Sequence, residues 1–195
     1  MDEQGAIKLC IKHRDPVGFE FLVRRYRREA FHHAYGLLGN QEEALDACQE
    51  SFAKAFAAIP RLESLAAFYP WFYRILRNRC LNLLARSKTA AAYRETAPQR
   101  ASGLPEPSDP ATILERQEEH QRVRQVLQRL APEHREVLAM KYIQGQSYEE
   151  MARILGLPRG TIMSRLYYAR TAFRRRYQNE AGLSDRPKTK TENAT

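Results

Sequence analysis

The sequence predicts an all-α protein of two small helical domains, joined by a flexible linker, with a helix-turn-helix as the C-terminal unit. Three observations carry that expectation. Apolar residues recur every three or four positions through most of the 195 residues, while strand-like alternation is hard to find. Residues 89–112, rich in proline and small side chains, interrupt the pattern and divide the chain. Within 145–170, a capped helix, a glycine corner and a second helix with one polar face follow in direct succession.

The elements read in order as follows. Asp2 to Lys12 is a short, weakly patterned helix. Asp15 and Pro16 make a capped start for a helix with Phe19, Leu22, Val23, Tyr26 and Ala30 on its inner face, ending near Gly39. Asn40, with Glu43 three residues on, opens the next. Its inner side carries Ala44, Cys48, Phe52, Ala55, Phe56 and Ile59, and Pro60 closes it. Phe68, Trp71, Phe72, Ile75, Leu76, Leu83 and Leu84 mark a third stripe, which completes a first domain over 1–88.

Residues 89–112 hold four of the ten prolines and read as a tether with an r.m.s. reach of roughly 25–30 Å. Helices resume near Ile113, with Val123, Leu127 and Leu130 expected inside, and continue from Glu133 to Ile143 into the helix-turn-helix. The second domain spans 113–177. The tail 178–195, ending SDRPKTKTENAT, has too little apolar content to pack and is expected to be disordered.

A formal charge of +9 and a pI near 9.7 favour an anionic partner, nucleic acid or an acidic membrane surface. No apolar run approaches the roughly 18 residues needed to span a bilayer, and the opening Met-Asp-Glu-Gln is not a signal peptide, so the protein is expected in the cytoplasm without membrane insertion. Cys10, Cys48 and Cys80 are odd in number, widely spaced, and set in apolar-periodic segments as small core residues. Cys10 and His13 are three apart, but neither His32 nor His33 completes a second pair at ligand spacing, so no metal site is expected. The chain has no glycine-rich phosphate loop, no HExxH and no nucleophile elbow; neither catalytic residues nor a cofactor are expected.

The helix-turn-helix is the most informative stretch. Ser147 and Glu150 form a capping box, and Met151, Ile154 and Leu155 make an apolar stripe. Gly156 suits the C-terminal turn, and Pro158 stands at or near the start of the second helix. On that helix Ile162, Leu166, Ala169 and Phe173 share one face. The opposite face carries Gly160, Thr161, Ser164, Tyr167, Tyr168 and Thr171, flanked by Arg159, Arg165 and Arg170. Seven arginines and no acid lie between Arg153 and Arg176. Small polar groups between arginine flanks suit a helix lying between two phosphate walls.

Trp71 to Asn82 is the second informative stretch. Five basic residues and no acid occur between Trp71 and Lys88, interleaved with aromatics and asparagines. Aromatics can stack on unpaired bases, arginines can hold the backbone, and an asparagine can read an exposed base edge. Trp71, Phe72, Ile75 and Leu76 are core for most of their surface, so the nucleic-acid reading rests on Arg74, Arg77, Asn78, Arg79 and Asn82.

Both stretches resemble one family. Leu130-Ala-Pro-Glu-His-Arg135-Glu-Val-Leu138, Ser147-Tyr-Glu-Glu-Met-Ala152, Leu155-Gly-Leu-Pro158 and Gly160-Thr-Ile-Met-Ser-Arg-Leu166 are similar to the C-terminal DNA-binding domain of extracytoplasmic-function sigma factors. Phe19-Glu-Phe-Leu22 with Tyr26, Gly39-Asn40, Ala44-Leu-Asp46, Gln49-Glu-Ser-Phe52 and Trp71-Phe-Tyr-Arg-Ile75 with Asn78 resemble the N-terminal domain of the same factors, in the same order.

The resemblance implies a partner, core RNA polymerase, contacted at its clamp and flap regions. Asp46, Gln49, Glu50, Phe52 and Phe56 would dock on the clamp. Arg61, Leu62, Glu63 and Ser64, in the loop before Trp71, and the helix bearing Trp71, Arg74, Arg77, Asn78, Arg79 and Asn82 would capture the melted minus-ten element. Arg159, Gly160, Thr161, Met163, Ser164, Arg165, Tyr167, Tyr168 and Arg170 would read the duplex minus-thirty-five element. An anti-sigma factor, often membrane-anchored, is a further implied partner. Leu45 stands where the family commonly has an acid, and Met163 and Tyr168 stand where it is often basic. The alternative, a free-standing helix-turn-helix regulator, would need a sensing or dimerisation domain upstream, and residues 1–88 show none. An enzyme acting on nucleic acid would need an acidic metal-binding cluster, which the chain lacks.

Overall fold

The computed structural model of the protein describes residues 1–62, 68–91 and 110–180, with side chains over 1–62, 68–86 and 118–180. Every regular element is helical, with no strand among the described residues. In the first domain α1 (Glu3–His13), α2 (Pro16–Leu38), α3 (Gln41–Ala58) and α4 (Phe68–Ala91) pack around one core, with a 3₁₀ turn at Ile59–Arg61.

Local chemistry sets the ends of these helices. Asp15 Oδ1 accepts the Val17 N–H at 2.8 Å with Pro16 in the first turn, and Asn40 Oδ1 accepts the Glu43 N–H at 3.1 Å. Gly39 ends α2 at φ 72°, a left-handed conformation that glycine adopts at little cost.

Aromatic rings fill the first core. Phe72 stacks on Phe52 at a centroid distance of 4.3 Å and on Phe68 at 5.9 Å, and Phe19 meets Phe52 edge-on at 6.4 Å. His33 is buried and shares a 2.6 Å hydrogen bond with Tyr69; burial pushes its pKa down to about 3, so it stays neutral. Cys10, Cys48 and Cys80 are buried among these groups, and desolvation pushes the Cys48 and Cys80 thiols up to about 12.

The second domain comprises α5 (Pro110–Gln128), α6 (Pro132–Leu138), α7 (Tyr148–Leu155) and α8 (Arg159–Glu180). Both halves of the predicted capping box are present: Glu150 N–H reaches Ser147 Oγ at 3.2 Å, and Ser147 N–H reaches Glu150 Oε2 at 2.8 Å. The Ser147 N–H and the Ser147 hydroxyl, each donating to Glu150 Oε2 at 2.8 Å, favour the ionised form and hold the Glu150 carboxyl below its ordinary range. Gly156 turns the corner at φ 66°.

Several details differ from expectation. The helix expected over Glu133–Ile143 ends at Leu138 and widens into a π-helical turn, Ala139–Ile143. The extra residue per turn re-phases the chain, burying Ala139 and Met140 and leaving Tyr142 and Ile143 exposed. In α5 the fully buried valine is Val126, with Val123 and Leu127 only half-buried. Helix covers both ends of the expected tether, because α4 runs to Ala91 and α5 starts at Pro110; residues 92–109 lie outside the described residues. Of the expected tail, 178–180 continue α8 and 181–195 lie outside the described residues.

The larger difference is that the two domains pack against each other instead of standing unoriented. The second half of α2 lies on α6 and the π-helical turn, and α4 lies on α7. Arg135, buried, donates to the Leu37 carbonyl at the end of α2, and also to the carbonyls of Gln128 at 2.6 Å and Leu130 at 3.3 Å. A cation over the last carbonyls of a helix complements both their unpaired acceptors and the helix dipole. Gln146 Nε2 bonds Glu29 Oε1 at 3.1 Å, and the Arg124 guanidinium lies 5.8 Å from the Tyr35 ring centroid.

Candidate nucleic-acid interface

The second helix of the helix-turn-helix, α8, carries the expected outward face. Ile162, Leu166 and Ala169 are buried against α6 and α7, which turns Gly160, Thr161, Met163, Ser164, Tyr167, Tyr168, Arg170 and Thr171 into solvent. Tyr167 and Tyr168, each about 60% exposed, meet edge to face at 5.5 Å and form an aromatic ridge. Ser164 Oγ donates to the Gly160 carbonyl at 3.0 Å and Thr171 Oγ1 to the Tyr167 carbonyl at 3.1 Å. Each hydroxyl thereby keeps its lone pairs outward, as acceptors for a base amino group.

The three flanking arginines are not equivalent. Arg170 is exposed. Arg159 Nε lies 3.0 Å from Glu149 Oε1, an exposed ion pair of little net worth that a phosphate can displace. Arg165 is turned partly inward, with Nη1 4.0 Å from Glu136 Oε2. Ser164 substitutions are therefore expected to redistribute preference among duplex sequences. Arg170→Ala should weaken binding to all of them alike and flatten log Kd against log salt by about one unit. Salt titrations on randomised duplexes check both, and a shift of sequence preference in Arg170→Ala with none in the Ser164 variants would reverse the assignment.

In the first domain α4 divides by its periodicity. Phe72, Tyr73, Leu76 and Cys80 point inward, while Arg74, Asn78 and Asn82, spaced four apart, form one exposed ridge. Trp71, Arg77 and Arg79 are half-buried beside it. Arg61 is exposed at the end of the 3₁₀ turn, whereas Leu62 is buried in the core with its side chain withdrawn from solvent. Glu63 and Ser64 lie outside the described residues.

The outer face of α3 presents Asp46, Gln49 and Glu50, with Leu45 also exposed next to Asp46. Phe56 reaches the surface (37% exposed) while packing on Phe19 at 4.9 Å. Phe52 does not: at 8% exposed and stacked on Phe72, it is a core ring, and its place among the surface candidates is corrected. Arg79 and Glu50, expected to serve different surfaces, meet in the structure. Arg79 Nη2 bonds Glu50 Oε1 at 2.6 Å, so each partly neutralises the other.

Tyr73, Arg135 and Glu136 were not among the candidates. Glu136 is 2% exposed and accepts from Tyr73 Oη and Arg77 Nε, each at 2.6 Å. Burial and the neighbouring carboxylate push the Tyr73 hydroxyl well above its ordinary pKa, so it remains a donor. A signal for Glu136 existed in the sequence: at 100° per residue it falls 40° from Met140, on the apolar face of its own helix.

Comparison with known proteins agrees with this division. Residues 22–89 match the family model for sigma-70 region 2, and residues 120–173 match that for sigma-70 region 4. The chain is 30% identical over 168 residues to the RNA polymerase sigma-H factor of Pseudomonas aeruginosa, covering 83% of this chain and 87% of that protein. It is 31% identical over 173 residues to the ECF RNA polymerase sigma-E factor of Salmonella typhimurium, covering 84% and 88% respectively. Two solved structures share the fold. One is CnrH in complex with the cytosolic domain of CnrY (TM-score 0.62, 21% identity, 94% of this chain and 99% of that one). The other is the sigma factor RpoE in complex with the anti-sigma factor NepR from Bartonella quintana (TM-score 0.58, 22% identity, 86% and 98%).

Proposed function

The chain belongs to the extracytoplasmic-function sigma factors, and from that premise we propose how its surfaces divide the work of starting transcription. The protein binds core RNA polymerase through the α3 face of Asp46, Gln49, Glu50 and Phe56. Through α8 it reads the minus-thirty-five element as duplex, and through the Arg74–Asn78–Asn82 ridge of α4 it captures the minus-ten strand once unpaired. It supplies specificity and strand capture, and the bond-forming chemistry belongs to the core enzyme.

The observation that carries this reading is the pairing, on one chain, of a duplex-shaped face on α8 with an arginine–asparagine ridge on α4. A free-standing operator-binding protein has no evident use for the second. An anti-sigma factor is a proposed partner, in keeping with the RpoE relative, whose structure holds one. No described helix is long and apolar enough to cross a membrane, and the proposed place of action is the cytoplasm, where the polymerase is.

The test is run-off transcription from a pool of genomic fragments with purified core enzyme, with and without the protein. Discrete start sites that need the protein are expected; tight, sequence-specific duplex binding by the isolated chain, with no effect on core enzyme, would instead establish the operator-binding alternative.

Asn78→Ala examines the strand-capture assignment within that assay. Loss of one amide contact to an exposed base edge, worth about 1–3 kcal/mol, should slow open-complex formation roughly tenfold. A template already unpaired across the downstream element should restore only part of the rate, because it supplies the unstacking but not the contact. Wild-type opening and wild-type discrimination of downstream bases by a correctly folded variant would make Asn78 a structural residue.

A further inference from the structure

The N-terminal part of a helix in the major groove is the part that meets base edges, and in α8 that part holds an unusual set of groups. Ser164 stands near the middle of the outward face, with Tyr167 and Tyr168 to either side and Met163 beyond Tyr167, all exposed. None of them is a cation. Arg165 is turned partly inward towards Glu136, and Arg159 and Arg170 lie on the flanks. Arg174 and Arg175, also exposed, follow about three turns after Ser164, beyond the base-reading end. Ser164 directs its proton to the Gly160 carbonyl, 3.0 Å away, and offers the groove only acceptor lone pairs. The two tyrosine rings, edge to face at 5.5 Å, hold each other in place before any DNA arrives.

We infer that this face selects A·T base pairs: Ser164 accepts from an adenine amino group, while Met163 and Tyr168 pack on thymine 5-methyl groups. The inference rests on the assignment of α8 to the duplex minus-thirty-five element. In the major groove only an A·T pair presents an amino donor together with a methyl group. A G·C pair also offers an amino donor, from cytosine, but it sets the N7 and O6 acceptors of guanine beside it. Those two acceptors call for a forked donor such as a free guanidinium, and the centre of this face has none. Apolar side chains on an exposed helix face gain nothing from phosphates or from water, whereas a methyl group packed on them leaves water with them. The flanking arginines supply the charge that brings such a face against DNA, so affinity and base choice fall to different residues.

The test uses the full-length chain assembled with core polymerase, and duplexes randomised across the upstream element. Selection should return a core of A·T pairs. Thymines in that core are then replaced one at a time by deoxyuridine, which keeps every hydrogen-bonding group and lacks only the methyl. At one or two positions the replacement should weaken binding about fourfold, the value of one buried methyl group. Met163→Ala and Tyr168→Ser, both at exposed positions that leave the fold intact, should each abolish the penalty at one position and keep it at the other. Tyr168→Arg, which supplies a forked donor, should turn the preference at its position towards guanine. The inference is overturned if the selected core is led by guanine, or if deoxyuridine binds like thymine throughout, which would mark readout of groove width instead of methyl groups. It is equally overturned if the penalty is unchanged in both Met163→Ala and Tyr168→Ser. Run-off transcription by the wild-type holoenzyme is measured in parallel: if start sites depend on the protein while methyl groups do not matter, only the A·T assignment fails. If no start site depends on the protein, the functional reading fails and the assignment of α8 with it.

Discussion

Replacing Phe72 with alanine is expected to destabilise the first domain by about 3–5 kcal/mol, a large share of the roughly 5–15 kcal/mol that holds a domain folded. The ring is fully buried, stacks between Phe52 and Phe68, and meets Tyr69 at 6.1 Å. Its ring neighbours, Phe52 on α3 and Phe68 and Tyr69 on α4, are anchored on helices and can fill only part of the space it vacates. The single Trp, Trp71, is its chain neighbour on α4 and reports unfolding of this domain by fluorescence in a urea titration. Because α4 also carries the proposed DNA-binding ridge, activity should fall with stability and return in part on cooling or with added core enzyme, which binds the folded form. A loss below about 1 kcal/mol would mean that this core is far more plastic than its stacking geometry implies.

Asp46→Arg is expected to weaken association with core polymerase by about 2 kcal/mol or more, at least roughly thirtyfold in Kd, through a like-charge clash at a polar interface. Its position on the exposed face of α3 leaves the fold unaffected. Reversal at Glu50 is a poorer probe than sequence alone implies. It would set a second cation beside Arg79, which is only 18% exposed, so damage within the domain would be confused with damage to the interface. Affinity measured by labelled-protein titration of core enzyme decides the matter: an unchanged Kd for folded Asp46→Arg would remove the α3 face from the polymerase contact.

What the sequence alone determined is the part of the structure governed by neighbours within about four residues. Helix starts at Asp15–Pro16, Asn40 and Ser147, and stops at Gly39 and Gly156, were legible because capping side chains and left-handed glycines act on backbone groups beside them. The outward face of α8 was legible for a similar reason: a 100° step and three buried anchors orient every other residue on that helix. Periodicity was least able to rank residues near the margin of a stripe. Phe52 and Phe56 are four apart on one helix, and only the presence of Phe72 opposite the first makes that one core and the other rim.

Tertiary structure alone decided the rest. Arg79 with Glu50, Tyr73 with Glu136 and Arg135 with the Leu37 carbonyl join residues 29, 63 and 98 positions apart. No local rule pairs such groups, because whether a charge meets solvent, nucleic acid or a buried carboxylate depends on which helix arrives opposite it. The domain arrangement is the fullest case. A tether read from composition sets how far the modules can separate, whereas Gly36 against Ala139 and Glu136 against Arg77 set where they rest, through steric fit and ion pairing that exist only once both surfaces are folded.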